Sequence, residues 1–359
     1  ESTMWLDASL STTASRGPNA ISTDPRTATR RARPATRRSS HEPRVSQRSS
    51  FVESPRRGDL LSNVTTVLVL ITAPAMLESA HWTLALAAHF RPYLLVAWVI
   101  CGLAHLFSGR ASGAVVSLLT GVFLVLGLQL APGPETSETP EFELMQVNVQ
   151  MDAPETGPLI DHIQARRPDV VSLVEVDQRW VDDLTAALDY PYVKVHPRSD
   201  FLGLGLLSRY PIRSYEVRDL SPGIPAATAV LDVNGSLITL TTLHVLPPVT
   251  GEWARSQSAG LEALAHEREK YGSRWIVCGD FNATPWSRVF RTFAAQAGLS
   301  AVSVGNWFRG TWPAAVPFIG LAIDHCLLSP ELRLVKSEIG PELSGDHRPL
   351  SISLDSRVR

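Results

Sequence analysis

Polar side chains close or interrupt several short apolar runs beyond residue 140. They are carboxylates, amides and imidazoles, the groups that ligate hard divalent ions, move protons and hold phosphates. The eight candidates are Asn148, Glu175, His244, Asp280, Asn282, Asp324, Asp346 and His347. Asp280 and Asn282 alternate along one segment, so their side chains share a face. Taken singly, each candidate also has an ordinary explanation as a turn former, a solvated strand end or a satisfied histidine.

Together, and in this order, these strings resemble the endonuclease/exonuclease/phosphatase superfamily. That superfamily includes deoxyribonuclease-I-like nucleases, inositol polyphosphate phosphatases and bacterial sphingomyelinases. The resemblance covers roughly residues 141–356, and its most specific parts are Gly-Asp-Phe-Asn at 279–282 and Asp-His-Arg-Pro at 346–349. In one departure, Val174 stands where the family often has Gln. The resemblance implies a four-layer α/β sandwich, in which two packed sheets are flanked by helices.

The same resemblance implies Mg²⁺-dependent hydrolysis of a phosphoester, with Mn²⁺ as the alternative ion. Mg²⁺ takes oxygen ligands from a few carboxylates and keeps several waters. Glu175 is then the principal ligand, Asn148 lies beside it, and Asp346 completes the shell. The sequence shows no Cys/His cluster with zinc spacing and no Gly-rich nucleotide fingerprint.

The remaining candidates are assigned by the resemblance to the water and the phosphate, which such hydrolysis must orient and neutralise. Asp280 orients or deprotonates the attacking water, and Asn282 holds the water or the phosphate. His347 contacts the phosphate, with its tautomer fixed by Asp324. His244 donates to a phosphate oxygen or to the leaving group.

Alternating strands and helices are predicted for this region, as expected of two sheets with flanking helices. The predicted strands are 142–149, 170–174, 203–207, 227–233, 237–243, 275–278, 323–328 and 350–354. The predicted helices are 159–166, 180–188, 253–271 and 287–297.

The first 140 residues differ in composition and divide into three parts. Residues 1–59 are rich in Arg, Ser and Pro, contain no lysine, and are expected to be a disordered cytoplasmic tail. Residues 60–131 carry three apolar runs near the lower length limit for crossing a bilayer, so three transmembrane helices are predicted. A buried helical hairpin is the alternative. A polar linker, 132–140, leads to the catalytic domain, 141–359.

Charge around the apolar runs predicts the topology. Many arginines precede the first run, while Arg91 is the only basic residue between the first and second. The positive-inside rule therefore places the N-terminus in the cytoplasm. Three crossings place the catalytic domain on the outer side of the cell membrane. If one of the three runs does not span the membrane, the catalytic domain lies on the cytoplasmic side instead.

This layout is similar to the bacterial membrane-anchored branch that includes the VanJ-type teicoplanin resistance proteins. The similarity implies antibiotic resistance and a phosphorylated lipid or small phosphoester substrate, such as a lipid pyrophosphate of envelope synthesis. The rivals are an extracytoplasmic nuclease, a sphingomyelinase-like diesterase and a non-catalytic binding domain. Residues 141–359 hold twenty-six acidic and twenty basic side chains, which disfavours nucleic acid. The bilayer is the expected partner, and no protein partner is predicted.

Two further features leave alternatives open. The three cysteines, Cys101, Cys278 and Cys326, are too few for a disulfide framework and are expected to be buried small hydrophobes. They do not fix the redox compartment. The aromatic segment 306–318 is either loop packing or a membrane-facing lip beside the site.

Overall fold

The computed structural model describes residues 57–78, 80–128, 140–303, 308–316 and 318–356. Nearly all of the predicted tail and of the predicted linker lies outside these residues, so both stay predictions. The first described helix, α1, begins at Arg57, just inside the predicted tail.

The described N-terminal region contains four helices, where the sequence predicts three. They are α1 (Arg57–Met76), α2 (Trp82–Ala88), α3 (Arg91–Phe107) and α4 (Ala111–Gly127). The extra helix, α2, meets α3 at a bend of 62°. Pro92 lies in the first turn of α3 and has no N–H to donate to the preceding turn, which favours a break there.

Among the described residues, no single helix is both long and apolar enough to cross a membrane. The bent pair of α2 and α3 satisfies that criterion together, by length and composition. The helices α1, α3 and α4 pack around Ala75, Leu94, Trp98 and Leu124. Their outward leucines and valines are exposed, and Leu126 is 77% exposed.

Two six-stranded mixed sheets form the rest of the described chain. The first contains β1 (Phe142–Asn148), β2 (Val170–Val174), β3 (Tyr192–His196), β4 (Leu204–Ser208), β11 (Arg333–Ile339) and β12 (Leu350–Asp355). The second contains β5 (Ile212–Ser221), β6 (Ile224–Val233), β7 (Ser236–His244), β8 (Trp275–Asp280), β9 (Ser300–Ala301) and β10 (Asp324–Leu328). The strand orders are β11-β12-β1-β2-β4-β3 and β5-β6-β7-β8-β10-β9.

Helices cover the outer face of each sheet. The helices α5 (Gly157–Arg166) and α6 (Gln178–Ala187) pack on the first sheet, and α7 (Gly251–His266) and α8 (Arg288–Ala297) pack on the second. A short 3₁₀ helix, Arg268–Tyr271, follows α7. Apolar side chains from both sheets, including Leu144, Leu240 and Ile352, form the core between them. The predicted α/β sandwich is therefore confirmed.

Every strand that the sequence predicts is present within a few residues, and so are the four predicted helices of this domain. Four strands were not predicted: β3, β5, β9 and β11. These are the edge strands of the two sheets. Edge strands are covered less completely and carry polar side chains, so they lack the continuous apolar run that marks a buried strand.

The expectation that Cys278 and Cys326 are unpaired is wrong. Cys278 on β8 and Cys326 on β10 are register partners and form a disulfide, although 48 residues separate them in sequence. Both are fully buried, as expected. The pairing depends on the antiparallel register of two strands that are distant along the chain. Cys101 remains a free buried cysteine.

Candidate active site

The candidate residues meet at one edge of the sandwich because their strands end there. The strands β1 and β2 run parallel, so Asn148 and Glu175 emerge side by side. The strands β7 and β8 also run parallel, which places His244 opposite Asp280. The antiparallel strand β10 begins at this edge, and its first residue, Asp324, pairs with Asp280.

Unusual backbone conformations turn the chain at these strand ends. Three residues here have positive φ angles: 52° at Gln150, 65° at Glu175 and 46° at Asn282. Residues other than glycine rarely adopt this backbone conformation. Such conformations cluster at functional sites, where the surrounding fold holds them. Gly279 has a φ of 151°, and a Cβ there would lie 1.8 Å from the Leu243 carbonyl oxygen. Glycine is therefore required immediately before Asp280.

Asn148 ties two carboxylates together. Its Nδ2 donates to Glu175 Oε1 at 2.7 Å and to Asp280 Oδ2 at 3.2 Å. Its Oδ1 accepts from the backbone N–H of Gln150 at 2.9 Å. In this arrangement Asn148 orients the acidic groups, and its predicted role as a metal ligand stays a prediction.

His244 faces the same carboxylates through one ring nitrogen. Its Nδ1 donates to the Phe201 carbonyl oxygen at 2.7 Å, because a carbonyl can only accept. Its Nε2 lies 3.6 Å from Asp280 Oδ2 and 3.9 Å from Glu175 Oε1. Asn282 Nδ2 lies 3.3 Å from that Nε2 and donates to the Val245 carbonyl at 2.9 Å.

His347 is paired with Asp324, as the sequence analysis expects. Its Nδ1 donates to Asp324 Oδ2 at 2.7 Å, and its Nε2 lies 3.7 Å from Asp280 Oδ2. Burial disfavours the charged ring, but the charge and hydrogen bond of Asp324, with Asp280 and Asp346, raise the pKa of His347 to about 10. The backbone N–H of Asp324 also donates to Thr311 Oγ1 at 3.2 Å.

The two buried aspartates have opposite shifts. Burial and the nearby charge of Asp324 raise the pKa of Asp280 to about 6, although His347 and His244 oppose the shift. Burial also disfavours the ionised form of Asp324, but the charge and hydrogen bond of His347 outweigh it and lower the pKa of Asp324. Of these two aspartates, Asp280 is the one whose pKa lies nearer neutral pH, as suits a general base.

Asp346 lies at the exposed side of the cluster. Trp312 Nε1 donates to its Oδ2 at 2.9 Å, and its own backbone N–H donates to Gln150 Oε1 at 2.8 Å. Its Oδ1 is 3.9 Å from His347 Nε2. The site thus contains all eight candidates. Three supporting groups were not predicted: Gln150, two residues after Asn148, and Phe201 and Thr311, which belong to more distant loops.

The donor set fits a divalent cation. Glu175, His244 and Asp280 present ligand atoms within 4.8 Å of one another, and Asp280, Asp324 and His347 form a second such group. In the described part of the chain, neither Glu175 nor Asp280 has a Lys or Arg ion-pair partner. Carboxylates therefore outnumber the cations that face them, and their oxygens suit Mg²⁺.

A cavity of about 420 Å³ opens over this cluster. Six of the eight candidates line it: Glu175, His244, Asp280, Asn282, Asp346 and His347. The rim is apolar and includes Phe201, Val249, Trp253, Leu321 and Ile323. The cavity therefore joins an acidic floor to an apolar mouth.

Comparisons with known proteins agree with this geometry. A sequence model described as the Endonuclease/Exonuclease/phosphatase family matches residues 145–347. The chain belongs to this family. Members of the endonuclease/exonuclease/phosphatase family are metal-dependent phosphoester hydrolases, so the chain is assigned to the hydrolases. No curated protein matches the chain.

Solved structures share the fold at low sequence identity. An endonuclease/exonuclease/phosphatase from Beutenbergia cavernae is 19% identical, with a TM-score of 0.50 over 59% of this chain and 71% of that chain. A family protein from Bacteroides thetaiotaomicron is 13% identical, with a TM-score of 0.51 over 62% and 100%. D. rerio TDP2, solved with a single strand DNA product, is 16% identical, with a TM-score of 0.51 over 60% and 98%. These identities show a common fold only.

Within this family's fold, each side chain has a task that its surroundings permit. A divalent cation at Glu175 and Asp280 would supply charge neutralisation on phosphate oxygens. Asp280 can orient a water and take its proton, His347 is held charged beside Asp324, and His244 presents Nε2 to a bound group.

Proposed function

We propose that the protein hydrolyses a phosphoester or pyrophosphate bond of a membrane lipid, with Mg²⁺ as the cation and Mn²⁺ as its alternative. The observation that carries this proposal is the cavity, because its acidic floor suits a phosphate group while its apolar mouth suits a hydrocarbon chain. The narrower resemblance to the membrane-anchored resistance proteins is part of this proposal. An apolar cavity entrance would contribute little to the binding of a nucleic acid by a nuclease.

The proposed reaction is a single displacement at phosphorus. A water oxygen forms a bond to phosphorus while its proton passes to Asp280, and the bond from phosphorus to the leaving oxygen breaks. His347, held charged by Asp324, neutralises a non-bridging phosphate oxygen. The leaving group departs with the bonding electron pair and takes a proton from solvent. His244 faces the cluster with Nε2, because its Nδ1 is bound to the Phe201 carbonyl.

The arrangement of the N-terminal helices supports a membrane-anchored protein. Arg91, at the start of α3, donates to the Ala75 carbonyl near the end of α1 at 2.9 Å. A Cβ at Gly127, the end of α4, would lie 3.4 Å from Arg91 Nη1. The helices α1, α3 and α4 therefore alternate in direction, as three crossings would.

The disulfide supports an extracytoplasmic site. Disulfides persist in oxidising compartments and are rare in the cytosol. The bond between Cys278 and Cys326 therefore agrees with the arginine-based orientation, in which the catalytic domain lies outside. A reporter enzyme that works only outside the cytoplasm, fused after the last residue, is expected to be active. A stable but silent fusion would contradict the orientation.

The test of the substrate class is a panel of phosphate-containing compounds incubated with the full-length protein. Phosphate or headgroup release is expected from a lipid pyrophosphate in Mg²⁺, with little from DNA and none in chelator. Preference for a phospholipid diester would point to the sphingomyelinase-like alternative, and preference for DNA would contradict the proposal. A fall in activity of at least about 10²-fold in an Asp280→Asn control would separate catalysis from a contaminating hydrolase.

A further inference from the structure

The N-terminal helices contact the catalytic domain directly beside the active site. The segment from α2 into α3, which we call the elbow (residues 82–93), is held by three hydrogen bonds between buried groups. Trp286 Nε1 donates to the His89 carbonyl at 3.0 Å, and Arg91 Nη1 donates to the Trp286 carbonyl at 2.7 Å. The backbone N–H of Thr284 donates to His89 Nδ1 at 3.3 Å.

Two further contacts hold this region, one from the elbow itself and one from Glu78, which precedes it. Tyr93 Oη donates to the Gly320 carbonyl at 2.7 Å, and its ring packs edge-on against Phe308. Glu78, just before α2, accepts from the side chain of Arg291 on α8 at 2.8 Å. These contacts join this region to the segment that follows Asn282 and to the loop that carries Phe308 and Gly320, so the elbow has a fixed position relative to the site.

Two elbow side chains, Leu86 and His89, line the active-site cavity together with Glu175, Asp280 and His347. Leu86 extends the apolar rim that Trp253 and Leu321 form on the catalytic domain. The N-terminal region therefore completes the wall of the cavity.

His89 lines that cavity, and Thr284 holds its ring through Nδ1. Its Nδ1 accepts from the Thr284 backbone N–H, so in the neutral ring the proton is on Nε2. The residue is only 7% exposed, and among the described residues its Nε2 has no hydrogen-bond partner. A donor on a cavity wall that no protein group occupies can bind an acceptor of a ligand.

We propose that the elbow is part of the substrate site: Leu86 contacts the hydrocarbon chain of an amphiphilic phosphoester, and His89 Nε2–H donates to its phosphate head group. This inference rests on the proposed function and specifies the same site further. It makes the N-terminal helices a determinant of specificity as well as an anchor.

The test compares ethyl diphosphate with dodecyl diphosphate, which share a head group and differ in chain length. Full-length protein in amphipol is assayed below the micelle-forming concentration of the dodecyl compound, so that no bilayer contributes. The wild type is expected to have at least about tenfold higher kcat/KM for the dodecyl compound, because burial of even one methylene in an apolar pocket can raise kcat/KM about tenfold. Leu86→Ser is expected to remove most of that ratio.

Leu84→Ser is the matched control, because Leu84 lies on the same helix but does not line the cavity. It is expected to keep the wild-type ratio. Equal ratios for the Leu86 and Leu84 variants, or a wild type indifferent to chain length, would overturn the inference and leave the proposed function standing. A wild type that hydrolyses neither diphosphate would overturn both.

His89 is tested with the ethyl compound, which has almost no chain. His89→Ala is expected to raise KM about tenfold more than it lowers kcat, and His89→Gln, whose amide can donate near the position of Nε2, is expected to restore much of the KM. A purely structural role would instead lower the melting temperature and kcat in both variants without rescue by Gln, and that outcome would remove His89 from the site.

Discussion

Two buried clusters of charged groups lie close together in this protein, and they are satisfied differently. Glu78, which precedes the elbow, is the centre of one cluster, called here the elbow cluster: it accepts from Arg91 at 2.9 Å and from Arg291 at 2.8 Å. Glu175 and Asp280, at the strand ends, accept from the Asn148 amide and face histidines. The elbow cluster contains its own cations, whereas the site cluster leaves carboxylates for a cation to neutralise. A functional cluster is distinguished here by incomplete compensation, since burial and charge occur in both.

Asp280→Asn is expected to show the largest difference between the two clusters, because it should lower activity strongly without lowering stability. The asparagine removes the base but keeps the shape, so kcat should fall roughly 10²–10⁴-fold. In metal-free protein the melting temperature should hold or rise, because a buried negative charge beside Asp324 is removed. Steady-state kinetics and thermal melts check both expectations. A large loss of stability would mean that this aspartate is structural.

Arg91→Met should give the opposite pattern. Its side chain is buried and bonds Glu78, the Ala75 carbonyl and the Trp286 carbonyl, so about 3 kcal/mol of stability should be lost. Denaturant unfolding of the full-length protein measures this loss. Arg213→Met is the control, because Arg213 pairs with Asp232 at an exposed position, where solvent screening leaves such pairs with little effect on stability. Similar losses for both variants would contradict the contrast.

The pH dependence of stability sharpens the comparison. The folded pKa of Asp280, about 6, lies above its ordinary value of 3.8. Its contribution to stability is therefore fully present below about pH 4 and is lost as pH rises through 6. The stability of Asp280→Asn relative to wild type, both in chelator, should rise over that window by up to about 3 kcal/mol. A difference that does not vary with pH would show that the folded pKa is not raised.

The sequence predicted most of the site because the informative residues sit within short local strings. Asp280 and Asn282 share a strand end, and Asp346 and His347 are adjacent, so their types and spacing are readable without a fold. The disulfide partner of Cys278 depends on strand register, and the position of Leu86 depends on how α2 packs on a distant domain. Such long-range contacts leave no local pattern.

The edge strands of the two sheets were also hard to predict, because they too lack a local sequence pattern. A central strand such as β2 is buried on both faces and reads as one apolar run. The strand β3 at the edge of the same sheet is half-exposed and carries Lys194 and His196, so it reads as a loop. The continuous burial that defines the core strands is absent there.

Trp312→Phe should have the smallest effect. The change removes the hydrogen bond from Trp312 Nε1 to Asp346 Oδ2 but keeps an aromatic ring at the rim. If Asp346 is a ligand, the Mg²⁺ concentration for half-maximal activity should rise about threefold, a modest case of losing a group that orients a ligand. An Mg²⁺ titration of activity checks this, and an unchanged midpoint would remove Asp346 from the metal shell.

The most direct test of the central claim is phosphate release from dodecyl diphosphate as a function of free Mg²⁺, for wild type and Glu175→Gln. We expect no turnover in excess chelator, full recovery of the wild type on adding Mg²⁺, and a higher Mg²⁺ requirement for the variant, because the principal carboxylate ligand is lost. Full wild-type activity in excess chelator, or identical Mg²⁺ curves for the two proteins, would contradict this claim.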